Sequence, residues 1–191
     1  GTVYDGSGRA GVVADIGIRG DKIVAVATVP RGSSAAVELD ARGMAVAPGF
    51  IDVLSQSDES LIQDGRAQSA VRQGVTLAIF GERSLAPMTP GMKKASARRQ
   101  GAIRYDIAWD TLGQYLDWLE RRGVSINVAA LVGAGTVREN VMPNLPGEAS
   151  PEQIDRMKQL VATAMDDGAL GLTAALIYAP GAYLSTDELV E

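Results

Sequence analysis

After Pro48 the sequence alternates short apolar runs with segments of helical spacing, which restricts the chain to βα units on a parallel sheet. Gly49-Phe50-Ile51-Asp52-Val53 reads as a first strand. Ser60–Arg72 follows with Leu61, Ile62, Ala67, Ala70 and Val71 at helical spacing and Gly74 in a C-cap position. Val75–Phe80 is a continuous apolar strand of the buried type. Asp110–Arg122 carries Leu112, Tyr115, Leu116 and Leu119 on one helical face and ends at Gly123, and Ile126–Val132 reads as a third strand. Ser150, Pro151 and Gln153 open a helix as N-cap, N1 and N3, running to about Asp167 before Gly168. Ala169–Ala175 is a fourth strand, and Ser185-Thr186-Asp187-Glu188 begins another helix. Four βα units make half of a (β/α)8 barrel, and an open doubly wound sheet fits the same alternation.

The first 47 residues have a different texture: short β-rich runs with tight turns, a small layer of β-sandwich type. Thr2–Tyr4 ends at Asp5-Gly6-Ser7-Gly8. Val12–Ile18 and Ile23–Val26 flank Arg19-Gly20-Asp21-Lys22 as a hairpin. Ala36–Asp40 alternates like a strand, and Met44–Ala47 follows a turn at Arg42-Gly43. The expected organisation is thus a β domain over 1–47 and a half barrel over 48–191. The chain opens in mid-strand and stops at a helix start, as expected of part of a longer protein.

Composition removes several classes of function. There is no Cys, hence no disulfide framework and no thiolate nucleophile or ligand. There is no His either, which excludes Ser-His-Asp chemistry and any imidazole-ligated zinc site built from this chain alone. With 18 Lys+Arg against 23 Asp+Glu the net charge is −5, and no basic cluster suggests nucleic acid. No apolar run nears the roughly 20 residues that span a bilayer, and no leader pattern opens the chain, so a cytoplasmic location is expected. G-x-G-x-x-G and Walker A sequences are absent.

In a barrel, function sits at the C-terminal ends of the strands. Those ends read Asp52–Glu59, Phe80–Pro87, Leu131–Arg138 and Leu176–Tyr183. Asp52, Gln56, Asp58 and Glu82 are the candidate oxygen donors. Arg138 has the planar fork that clamps a carboxylate, and Tyr178 offers a hydroxyl at the fourth end. The alternatives are ordinary: loop carboxylates holding backbone amides, a Glu82–Arg83 surface pair, an Arg at a helix start and a rim aromatic. Ser84 to about Asp110, with Lys93-Lys94 and Arg98-Arg99, reads as a long basic loop of lid or interface type. Met142–Gly147 reads as a rigid turn without chemistry.

The β layer ending in Val46-Ala47-Pro48-Gly49-Phe50-Ile51-Asp52 resembles the entry to the barrel of the amidohydrolase superfamily. Gln73-Gly74-Val75-Thr76 through Gly81-Glu82 and Ala86-Pro87, Leu131 through Arg138, and Gly168–Leu172 with Ile177-Tyr178 are similar to the D-aminoacylase (N-acyl-D-amino-acid deacylase) family. The resemblance spans essentially all 191 residues. It implies a metal-dependent hydrolase, most simply with one zinc ion, that polarises an amide carbonyl, activates a water and frees a D-amino acid from its acyl group. It also implies Glu82, and more weakly Gln56, as metal ligands, with Tyr178 and Arg138 on the substrate carboxylate. The catalytic Asp would lie beyond Glu191. The partner is a small N-acyl amino acid, with no nucleic acid and no membrane.

The chain departs from that pattern at three points. The family's Asp-x-His-x-His is Asp52, Leu54 and Gln56 here, its second-strand Cys corresponds to Glu82, and its His after Val-Gly is Ala134. An amidohydrolase acting on a cyclic amide or dipeptide, and a non-catalytic homologue, remain as alternatives. With no imidazole or thiolate, the chain by itself is expected to be inactive and to hold zinc only weakly.

Overall fold

The computed structural model describes residues 1–30, 32–143 and 146–191. The chain divides into two compact units, Gly1–Gly49 and Phe50–Glu191. The turn expected over 142–147 lies partly outside the described residues, at Asn144 and Leu145.

The first unit contains two small sheets. In one, β1 (Thr2–Val3) lies between β2 (Val12–Val13), antiparallel, and β5 (Ala45–Val46), parallel. The other is the expected hairpin of β3 (Asp15–Arg19) and β4 (Lys22–Ala27), turning at Gly20 with φ +63°. A bulge between Gly17 and Ile18 breaks its register. Residues 36–40 form no strand; among the described residues no strand pairs with them, and alternation without a ladder partner does not make a sheet.

In the second unit, β6 (Phe50–Asp52), β7 (Val75–Phe80) and β8 (Asn127–Ala130) form a parallel sheet in that order, the arrangement the alternation predicts. The expected third strand is broken at Leu131. Its amide still makes the last bond of the β7 ladder, to the carbonyl of Phe80 (2.7 Å), and beyond it β9 (Val132–Gly133) pairs in parallel with β10 (Leu172–Thr173). Leu170 N to Ala130 O (2.8 Å) and Val132 N to Gly171 O (2.9 Å) carry the ladder across the break. The fourth strand is therefore much shorter than Ala169–Ala175.

Two helical expectations change. Ser60–Arg72 is two helices, α1 (Asp58–Gln63) and α2 (Gln68–Arg72). Between them Ala67 has φ +47°, outside the right-handed helical region, and Gly65 lies so close to Gly123 that a Cβ would stand 2.2 Å from its carbonyl oxygen. The basic stretch after Ser84 holds a helix, α3 (Pro90–Arg99), capped by Thr89 with Pro90 at N1 and docked by buried Met92. Its Lys93 pairs with Asp110 at 2.6 Å. At the third strand end α5 (Ala134–Val141) starts directly from β9.

The remaining helices follow their start signals. α4 (Leu112–Arg122) has a capping box of Thr111 with Gln114, and α6 (Pro151–Asp166) has one of Ser150 with Gln153. The short α7 (Thr186–Val190) has one of Ser185 with Glu188. Arg122 donates to the carbonyls of Ile62 (3.1 Å) and Gln63 (2.9 Å), closing the last turn of α1. The core gathers Leu61, Ala78, Phe80, Leu112, Tyr115 and Leu119 around Trp109, whose Nε1 donates to Leu85 O at 2.8 Å. Among the described residues no helix is long and apolar enough to cross a membrane.

Candidate active site

The C-terminal ends of β6 and β7 bring Gln56 and Glu82 together: the Gln56 amide donates to the Glu82 carboxylate at 3.1 Å. These residues are 26 apart in sequence, and the parallel register Asp52↔Ala78 is what makes them neighbours. Asp52 ends β6 in an exposed position, and Leu54 is exposed as well.

Behind this pair, α1 begins with two acids, as suits the positive end of a helix. Glu59 accepts from the Tyr105 hydroxyl at 3.0 Å. Burial, then the adjacent negative charge of Glu59, raises the pKa of Asp58, with Arg83 opposing. Burial and the Glu59 carboxylate raise that of Tyr105, and burial does the same for Tyr115. Sequence reading did not find Glu59 or Tyr105 as partners, since a contact across 46 residues leaves no local signal.

Ser84, also missed, ties the second strand end to the third. It is buried, donates to Ala86 O at 2.6 Å and accepts from Gly133 N at 3.0 Å, while Thr136 donates to the Ser84 carbonyl at 3.1 Å. Gly81, with φ +135°, lets the chain pass where a Cβ would meet Leu131 O at 2.3 Å. Ala134 faces a cleft of about 400 Å³ whose walls include Val137, Met157, Leu172 and Leu184.

Arg138 holds a carboxylate, as its fork suggests, but the carboxylate is internal. Its side chain is 0% exposed and pairs with Glu188 at 2.7 Å, itself 5% exposed. It also donates to the carbonyl of Gly147. In this structure the guanidinium is thus engaged within the fold rather than open to a substrate. Tyr178 lies in the segment after β10 and is 62% exposed.

A metal would find one carboxylate, Glu82, with the Gln56 amide beside it. Among the described residues no group of three or more Asp, Glu, His or Cys side chains could hold a metal ion. The chain's own donors therefore do not fit a complete metal centre.

No family model matches the chain. Among characterised proteins, D-aminoacylase from Alcaligenes xylosoxydans xylosoxydans is 35% identical over 196 aligned residues, which cover 100% of this chain and 40% of that enzyme. A solved D-aminoacylase structure, bearing on the functional role of its binuclear metal centre, superposes with a TM-score of 0.86 at 35% identity, over 100% of this chain and 40% of that one. Over essentially its whole length the chain is homologous to D-aminoacylase and to the N-acyl-D-glutamate and N-acyl-D-aspartate deacylases. A second solved relative, N-acyl-D-glutamate deacylase from Bordetella bronchiseptica, complexed with zinc and a phosphonate mimic of the tetrahedral intermediate, gives a TM-score of 0.87 at 30% identity, over 99% of this chain and 40% of that one. The chain spans about 40% of the length of the D-aminoacylase-family relatives it matches. Its mixed α/β architecture is that of the family over this span.

Proposed function

We propose that this chain forms the small N-terminal β layer (1–47) and the first half of the (β/α)8 barrel (48–191) of a deacylase that hydrolyses N-acyl-D-amino acids. The observation that carries this reading is the end-to-end similarity to D-aminoacylase in both sequence and structure. The parallel ladder from β6 to β10, which gathers four strand ends, agrees with it.

Within that enzyme Glu82 is the donor this chain contributes to a zinc centre, and Gln56 holds its carboxylate in place. The other donors come from outside the described residues. Tyr178 contacts the carboxylate of the substrate, its exposure leaving the hydroxyl accessible. Arg138 acts one layer deeper, through its ion pair with Glu188.

The test is a panel of N-acyl-D-amino acids, their L enantiomers and cyclic amides, given to the full-length protein together with metal analysis. Release of free D-amino acid with bound zinc, and loss of zinc in Glu82→Ala, supports the reading. Turnover of only the cyclic amides would overturn the substrate class. A second reading, a non-catalytic homologue, is favoured by exposed Leu54 where the family pattern has His. Absence of both zinc and turnover would establish it instead.

A further inference from the structure

The Tyr178 side chain is exposed, so packing of the ring does not hold it; the backbone that carries it must. That backbone is closed on itself. Ala182 N donates to Tyr178 O at 2.8 Å and Leu184 N to Gly181 O at 3.1 Å. A Cβ on Gly181 would stand 2.4 Å from Ala175 O, so the segment is folded as tightly as glycine allows.

The closed segment meets α5 at two points. Gly135 and Arg138 are three residues apart and share one face of that helix. At Gly135 a Cβ would lie 3.5 Å from the backbone N and Cα of Gly181, so segment and helix are in direct contact. At Arg138 the guanidinium donates to Glu188 Oε1 at 2.7 Å. The same oxygen accepts from Ala149 N at 2.9 Å, and Glu188 Oε2 accepts from Ser185 N at 2.8 Å, the residue where the Tyr178 segment ends. One buried carboxylate therefore joins α5, the approach to α6 and the end of the Tyr178 segment. A buried ion pair adds little net stability over an apolar pair of the same shape, and fixing a geometry is the use left for it.

We propose that Glu188 is a positioning residue for Tyr178: together with Arg138 and Gly135 it fastens the segment 174–185 to α5 and so sets where the tyrosine hydroxyl meets the carboxylate of the substrate. This rests on the reading of Tyr178 as a substrate contact.

The experiment is a double-mutant cycle in the full-length protein, with an N-acyl-D-amino acid as substrate and amide hydrogen exchange as a readout independent of activity. Glu188→Gln should raise KM about tenfold or more with kcat within about threefold, and its effect should not add to that of Tyr178→Phe. The amides of Ala182 and Ser185 should exchange faster in Glu188→Gln, while those of β7 do not change. Gly135→Leu, which pushes on Gly181 and leaves the ion pair intact, should reproduce the rise in KM and serves if Glu188→Gln does not fold. Additive effects on KM, or a lowered Tm with unchanged KM, would overturn the proposal. If Tyr178→Phe alone leaves KM unchanged, the role of Tyr178 as substrate contact fails. Hydrogen exchange then decides alone: unaltered protection at Ala182 and Ser185 refutes Glu188 as the fastening residue, and faster exchange upholds it.

Discussion

Replacing Arg138 with methionine keeps the length of the side chain and removes its charge, leaving Glu188 buried with the amides of Ser185 and Ala149 as its remaining donors. The Gly147 carbonyl also loses its partner. Breaking a buried pair from one side costs about 3–5 kcal/mol, and the two amides that still solvate the carboxylate put the expected loss at about 3 kcal/mol near neutral pH. The pH dependence gives the sharper test. In the wild type, burial pushes the Glu188 pKa up, but the bonds from Ser185, Ala149 and Arg138 outweigh it and hold the carboxyl below the ordinary glutamate value. That stabilisation is present at neutral pH and is lost only as pH falls through the lowered value. Arg138→Met removes two of the influences that lower the Glu188 pKa while burial still raises it, so the variant's carboxyl takes up its proton at a higher pH than the wild type's. Its deficit should therefore shrink as pH falls from neutral through the variant's value, by up to about 1.4 kcal/mol per unit. Urea denaturation followed by the fluorescence of Trp109 and Trp118 measures both quantities. A loss under about 1 kcal/mol near neutral pH, or a deficit that does not narrow on acidification, would refute the reasoning.

Other substitutions test the scaffold. Trp109→Ala empties the centre of an aromatic cluster with Tyr115 (centroids 4.9 Å apart) and Trp118 (5.4 Å), and should cost about 3–5 kcal/mol in chemical denaturation. Gly81→Ala forces a Cβ against Leu131 O at positive φ and should destabilise by about 2 kcal/mol or more, with β8 amides losing exchange protection first. Thr111→Ala removes one half of the α4 capping box and should cost about 1 kcal/mol, with Thr111→Ser restoring most of it.

Elements with a local signature were legible in the sequence. β7 has the bounds its apolar run predicts, and the capping boxes at Thr111, Ser150 and Ser185 mark true helix starts. What was not legible depends on approaches between distant segments. Left-handed Ala67, next to the close approach of Gly65 to Gly123, interrupts the helix expected over 60–72, and the third strand changes partner from β7 to β10 at Leu131. α3 went unread because Thr89 and Pro90 opened it within a run of small and basic residues with little apolar periodicity. At the site, sequence reading singled out Gln56 and Glu82 separately, and the structure adds their contact. Arg138 was read as a clamp for the substrate carboxylate; in the structure its partner is the internal Glu188, which nothing local revealed because Glu188 also forms the capping box with Ser185.

The most direct measurement is a crystal structure of the full-length protein with a phosphonate mimic of an N-acyl-D-amino acid. The account predicts the ligand at the C-terminal ends of β6, β7, β9 and β10, with the Tyr178 hydroxyl on its carboxylate, Glu82 at a bound metal and Arg138 still paired with Glu188. A ligand carboxylate held elsewhere, with Tyr178 turned to solvent and Glu82 remote from any metal, would contradict it.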